Sequence, residues 1–230
     1  MKKIIKRIKD LFNDKKKRRI YLPLFILPFF IAIIIFGVII FKDVKTLINI
    51  NGNSETNSKY IIGNKDYVLR DNATEYQMQI FTELKDMAEG KSEYDEKTFV
   101  ELICKNYIAD FYTWSNKFGQ YDVGGLYYVY TPQREIIYIQ ARDGFYKYVN
   151  EYINYYKAEN LLNVINVEAN ASLTDDYLLE VTGEQFKTYK VNCSWEYVPS
   201  DVFSSSSYQK RAYLLVVENN GRFEIMESYE

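Results

Sequence analysis

Residues 20–41 form an unbroken run of 22 uncharged residues dominated by Ile, Phe, Leu and Val, and no other stretch limits the fold of this chain so severely. At about 1.5 Å per residue the run makes roughly 33 Å of helix, against a bilayer hydrocarbon core of about 30 Å. A helix of that length buried in a globular core would carry a polar stripe, and none exists here. Pro23 and Pro28 lie near its start, where a missing amide costs least, and Gly37 is ordinary in a membrane helix. A cleaved signal peptide is the rival reading. Against it stand the 19-residue basic region, the length of the apolar run and the lack of a small-residue cleavage site at Phe41-Lys42-Asp43-Val44. The expectation is an N-terminal transmembrane helix over 20–41, with the lipid bilayer as its partner.

Residues 1–19 hold ten Lys or Arg against Asp10 and Asp14, a charge of +8, whereas Lys42, Asp43 and Lys45 beyond the run nearly cancel. The positive-inside rule therefore predicts a single-pass cell-membrane protein with a cytoplasmic N-terminus and everything after Lys42 outside. Ile4, Ile5, Ile8, Leu11 and Phe12 give the arm an amphipathic pattern suited to the anionic inner leaflet, although a topology signal alone explains it equally well. The whole chain carries −2, so residues 42–230 carry −10, which argues against a nucleic acid partner. The chain has no histidine, which excludes a Ser-His-Asp or Cys-His nucleophile, an imidazole zinc site and a histidine pH switch built from it alone.

Four segments follow: a basic cytoplasmic arm (1–19), the span (20–41), a stalk (42–72) rich in Asn, Ser, Gly, Lys and Thr, and an extracytoplasmic domain (73–230). In the domain, Ile80, Phe81, Leu84, Met87 and Ala88 share a helical face that Gly90 terminates. A stronger helix is predicted from the N-cap Asp95 to Phe118, with Phe99, Val100, Ile103, Cys104, Tyr107, Ile108, Phe111, Trp114 and Phe118 recurring at three and four. Gly124-Gly125 marks a turn into a short strand or extended segment from Leu126 to Tyr130. Thr131-Pro132 then opens a third helix to about Lys157, its face made of Ile137, Ala141, Phe145, Tyr148, Val149, Tyr152 and Tyr156. Beyond it the period becomes two. Strands are predicted over 163–172, 177–182, 188–198, 208–218 and 222–229, with Asn220-Gly221 as a hairpin turn.

The order is α+β: helices first, packed on an antiparallel sheet. The helices over 96–118 and 132–157, the strands over 188–198, 208–218 and 222–229, and the closing Gly221-Arg222-Phe223-Glu224-Ile225 resemble the SnoaL-like, or nuclear-transport-factor-2-like, cone fold. The resemblance covers roughly 135 residues as an order of elements and implies a curved sheet wrapped around helices over a pocket. Enzymes of that family move protons with a pocket carboxylate, which here would be Asp110, with Tyr107, Tyr112, Arg142 and Asp143 as companions and Trp114 and Trp195 as ligand-lining rings. Spacing alone supports no such role, and Asp110 reads as well as a helix-surface charge. In layout the chain is also similar to the bitopic assembly subunit of type IV secretion and conjugation systems: basic arm, one span, stalk and outer cone domain. That resemblance implies a scaffold or protein-interaction domain with protein partners in the envelope, self-association included.

The chain holds 23 tyrosines, which suit half-exposed binding surfaces but are also what an AT-rich, low-GC bacterial genome yields. Three Asn-x-Ser/Thr matches begin at Asn72, Asn170 and Asn192 and are cheap in so Asn-rich a chain. No glycine-rich phosphate loop, calcium loop or Cys-x-x-Cys pair occurs, so no cofactor or metal is expected. Cys104 and Cys193, the only two cysteines, both fall on core faces and could form a disulfide outside the cell or remain buried thiols. Two function classes remain: a non-catalytic envelope scaffold, and a surface-displayed domain binding or converting a small apolar ligand. A pocket with Asp110 at its base favours the second, and a pocket filled by Phe, Tyr and Trp rings favours the first.

Overall fold

A computed structural model describes residues 60–61 and 67–229. The basic arm, the span over 20–41 and most of the stalk lie outside the described residues. Among the described residues, no helix is long and apolar enough to cross a membrane.

The elements run β1 (Tyr60–Ile61), β2 (Val68–Leu69), α1 (Glu75–Ala88), α2 (Glu96–Phe111), α3 (Arg134–Asp143), α4 (Val149–Tyr156), β3 (Val164–Leu173), β4 (Tyr177–Leu179), β5 (Glu184–Phe186), β6 (Thr188–Tyr197), β7 (Arg211–Asn219) and β8 (Arg222–Tyr229). The class is α+β, with helices packed on an antiparallel four-stranded sheet of order β3-β6-β7-β8. Hairpins β1-β2 and β4-β5 are separate. Strand β6 shows why the sheet forms. Tyr189, Val191, Cys193, Trp195 and Tyr197 are buried on one face, while Lys190, Asn192 and Glu196 are exposed on the other. Helix α2 lies between α1 and the sheet, and both sides of it are therefore apolar: Phe99, Val100, Leu102, Ile103, Cys104, Tyr107, Ile108 and Ala109 are all buried.

Local signals set the helix ends. Thr74 and Gln77 form a capping box at α1, and Asp95 accepts the Thr98 backbone N–H at 2.8 Å to start α2. Helix α2 stops at Phe111, seven residues before its apolar period runs out. Trp114 and Ser115 instead donate their backbone N–H groups to the Leu162 carbonyl at 2.7 and 3.0 Å, which turns the chain back over the core. Phe118, expected in the core, is 84% exposed as a result. The expected third helix is two helices. At Gly144 the chain turns and Tyr146 N–H reaches the Ala141 carbonyl at 2.8 Å, burying Tyr146 and leaving Tyr148 exposed. The segment before Tyr130 is not a strand but a short 3-10 turn over Leu126–Tyr128, followed by one parallel bridge from Val129 to Ile225. Strand β5 was missed because its three residues carry no readable period.

Residues 67–72, assigned from sequence to the stalk, contribute to the core. Tyr67 is fully buried, its ring stacked on Tyr128 at 5.7 Å, and its hydroxyl donates to the Phe223 carbonyl (2.8 Å) while accepting the Phe223 N–H (3.0 Å).

Both outer edges of the sheet are covered over part of their length. On β3, Val164, Val167 and Ala171 donate their N–H groups to Thr113 Oγ1, the Tyr76 hydroxyl and Glu101 Oε1 at 3.1, 2.7 and 2.9 Å. On β8, Tyr67 covers Phe223, and Tyr130 N–H donates to the Ile225 carbonyl at 2.9 Å. Edge groups left open would template pairing with another chain.

Candidate functional site

Asp110 sits in the last turn of α2, where the chain's reversal folds a loop back onto it. Its Oδ1 receives Lys117 Nζ at 2.9 Å and Arg70 Nε at 3.0 Å, and its Oδ2 accepts the Gly125 N–H at 2.7 Å. Arg70 reaches on to Asp122 Oδ1 at 2.8 Å, and Asp122 Oδ2 accepts the Phe118 N–H at 3.0 Å. Lys117 Nζ also donates to Asn116 Oδ1 at 2.8 Å, and the Lys117 side chain has no solvent exposure. The double glycine is dictated by this contact. A Cβ at Gly124 would run into the Asp110 carbonyl and carboxylate, and Gly125 holds a positive φ of 76°.

Burial alone would raise the Asp110 carboxyl, but Arg70, Lys117 and the Gly125 N–H together hold it at about 2. Burial pulls the Lys117 ammonium down to about 8 in spite of Asp110. A carboxylate held so low by three donors makes a poor general base, because base catalysis needs a pKa near the working pH. The cluster ties the 114–125 loop to α2.

A second buried carboxylate, Glu224 on β8, is 1% exposed and serves the next stretch of the same loop. Thr131 Oγ1 and Asn219 Nδ2 donate to it at 2.7 and 3.0 Å, and Arg134 and Arg222 flank it at 3.6 Å. The Arg222 guanidinium lies over the Tyr67 ring at 5.0 Å. Arg70, Lys117, Asp122, Glu224 and Tyr67 escaped the sequence reading, since their partners lie far away in the chain or across the end of a helix.

The other expected site residues fall elsewhere. Tyr107 is buried and stacks on Phe111 at 5.4 Å. Trp114 and Trp195 join one aromatic cluster: Trp195 packs on Tyr112 at 4.4 Å, Tyr112 on Phe145 at 5.3 Å, and Phe145 on Trp114 at 4.7 Å. Tyr152, Phe203 and Tyr208 also pack on Trp114, at 5.9, 6.2 and 5.2 Å. Rings thus occupy the space between α2, α4 and β6. Arg142 and Asp143 pair with each other at the surface at 2.7 Å, away from any such role. A surface groove of about 340 Å³ runs between α1 and α2, lined by Glu83, Asp86, Met87, Thr98, Glu101 and Lys105, and Asp110 is not among its lining residues.

No protein-family model matches the chain, and no curated protein or solved structure matches it either.

Among the described residues no group of His, Cys, Asp and Glu is placed to hold a metal ion. Cys104 and Cys193 are both fully buried free thiols.

Proposed function

We propose that the chain is a membrane-anchored scaffold or protein-interaction domain, displayed outside the cytoplasm as part of a cell-envelope assembly of the conjugation or secretion type. The observation that carries this reading is the aromatic cluster of Tyr112, Trp114, Phe145, Trp195 and Phe203. Its rings pack on one another at centroid distances of 4.4 to 6.2 Å, and Asp110 is not among them. The state of Asp110, paired and strongly acidic, points the same way. The anchor and its orientation rest on the 22-residue apolar run and the +8 arm.

Partner contact is assigned to helices and loops, because side-chain and loop groups already take part of each sheet edge. The face bearing α3 is the best candidate. Ile136 and Ile139 are 51% and 38% exposed, Tyr127 lies against Arg134, and Arg142 spans the Tyr121 and Tyr138 rings at 6.0 and 5.7 Å. Aromatic rings and arginine are the residue types enriched at protein interfaces.

The test is photo-cross-linking in cells from a benzophenone amino acid placed at Ile136, with Asn192 on the exposed sheet face as the comparison site. Discrete protein adducts in the membrane fraction from Ile136 and none from Asn192 are expected. Adduct mass separates a second copy of the chain from a different envelope protein. No adduct from Ile136, together with thermal stabilisation of the purified protein by small apolar ligands, would favour the ligand-binding reading instead.

A further inference from the structure

Cys104 and Cys193 are the only cysteines of the chain and sit 89 positions apart, yet the fold brings their thiols against one another. Cys104 lies on the face of α2 that packs on the sheet, and Cys193 lies at an inward position of β6 between Val191 and Trp195. The strand neighbours of Cys193 explain how the helix comes so close. Its register partners are Ala169 on β3 and Ala212 on β7, the smallest side chains that still have a Cβ. Larger residues on either side would lift α2 away from the sheet at that level. Both cysteines are fully buried.

We propose that Cys104 and Cys193 form a disulfide that staples α2 to β6 when the domain folds in an oxidising compartment. Its use in the cell rests on the outside location proposed above, whereas the ability of the pair to bridge does not. Thiol exchange requires a thiolate, and burial together with the neighbouring Cys193 thiol pushes the Cys104 thiol well above its ordinary range. The finished fold is therefore slow to react, and the bond forms during folding. One thiolate of the pair attacks a sulfur of a disulfide-carrying oxidant, forming a mixed disulfide and expelling one oxidant thiolate. The second cysteine thiolate attacks the protein sulfur of that mixed disulfide and releases the other oxidant thiolate. Two cysteine thiols are oxidised, and one oxidant disulfide is reduced to two thiols, which take up the two protons the cysteines lose.

The full-length chain, reduced and denatured, is refolded in mild detergent with a mixture of reduced and oxidised glutathione, then alkylated under denaturing conditions and weighed. The expected product is a monomer carrying no alkyl group and lighter than the reduced chain by about 2 Da, with an unfolding midpoint raised by about 10 °C over the reduced form. Cys104→Ala and Cys193→Ala should each abolish that species while keeping the circular dichroism of the fold, each leaving one thiol to alkylate. Two alkylated thiols in refolded wild-type protein of native circular dichroism, or cross-links found only between molecules, would overturn the proposal. The experiment uses purified protein and is blind to where the cell places the domain. Its failure would leave the location standing, and a failure of the location would leave the bridge standing.

Discussion

Lys117 Nζ lies 2.9 Å from Asp110 Oδ1, although the two residues are seven apart and the sequence pattern runs through both as one helix. In a continuous helix that separation corresponds to about 10 Å of rise. The contact exists because α2 ends at Phe111 and the chain doubles back. Removing the carboxylate strands two cations: Asp110→Asn should cost about 3 to 5 kcal/mol, because Arg70 and Lys117 keep their burial and lose their shared partner. Lys117→Met should cost less than half as much, since Arg70 and the Gly125 N–H still satisfy the carboxylate. Equilibrium denaturation in urea measures both, and equal losses would contradict this division.

The same pair sets a pH signature. Asp110 titrates at about 2 in the fold and near the ordinary carboxylate value of about 3.9 when unfolded. Its stabilisation is therefore present above about pH 4 and is lost as the pH falls through about 2. Lys117 is lowered from 10.5 to about 8, so between those values the unfolded chain holds a proton that the fold has released. On account of this group, stability rises with pH from about 8 to about 10.5. Lys117→Met should abolish that alkaline rise, and Asp110→Asn should flatten the acid limb, both read from denaturation midpoints across pH.

The edge of β3 offers a separate test. Tyr76→Phe and Glu101→Ala strip the acceptors from the Val167 and Ala171 N–H groups. Each should cost about 1 to 2 kcal/mol, and the double variant should associate in a concentration-dependent way through the uncovered strand. Sedimentation velocity checks this. A double variant that stays as monomeric as the parent would show that side-chain acceptors do not guard the edge.

Phe203 is the one buried side chain of residues 198–210, and otherwise the middle of that loop is held by serine hydrogen bonds within itself. Phe203→Ala should cost about 3 kcal/mol and expose residues 199–207 to protease under native conditions. Unchanged protease resistance would place the anchor of the loop elsewhere.

How much of this was legible in the sequence depends on whether a contact is local. Strand β6 was legible because alternation is a nearest-neighbour property, and its inward residues Tyr189 to Tyr197 were all identified. The N-cap Asp95 was legible for the same reason. The end of α2 was not, because the Leu162 carbonyl that receives Trp114 and Ser115 lies some fifty residues onward while the apolar period continues to Phe118. The split at Gly144 was hidden likewise, since Ala141, Phe145 and Val149 keep helical spacing across it. For the site, Tyr107, Trp114 and Trp195 fall on apolar faces in the sequence, whereas Asp110 reads there as well as a helix-surface charge. Their separation into a charge cluster and an aromatic cluster depends on Arg70, Lys117 and Phe145, whose positions follow from tertiary packing alone. Tyr67 and Arg70 sit in a stretch too polar to signal that it belongs to the fold, and a chain beginning at residue 73 should therefore be less stable than one beginning before Tyr67.

The proposed role of the domain requires that it lie outside the cytoplasm. Because Cys104 and Cys193 are fully buried, a cysteine introduced at exposed Ser206 is the only thiol that a maleimide should reach in the folded protein. Intact cells carrying Ser206→Cys are treated with a membrane-impermeant maleimide, with and without permeabilisation, alongside the wild-type chain. The account predicts full labelling of Ser206→Cys before permeabilisation and none of the wild type; labelling that appears only after permeabilisation would place the domain in the cytoplasm and contradict it.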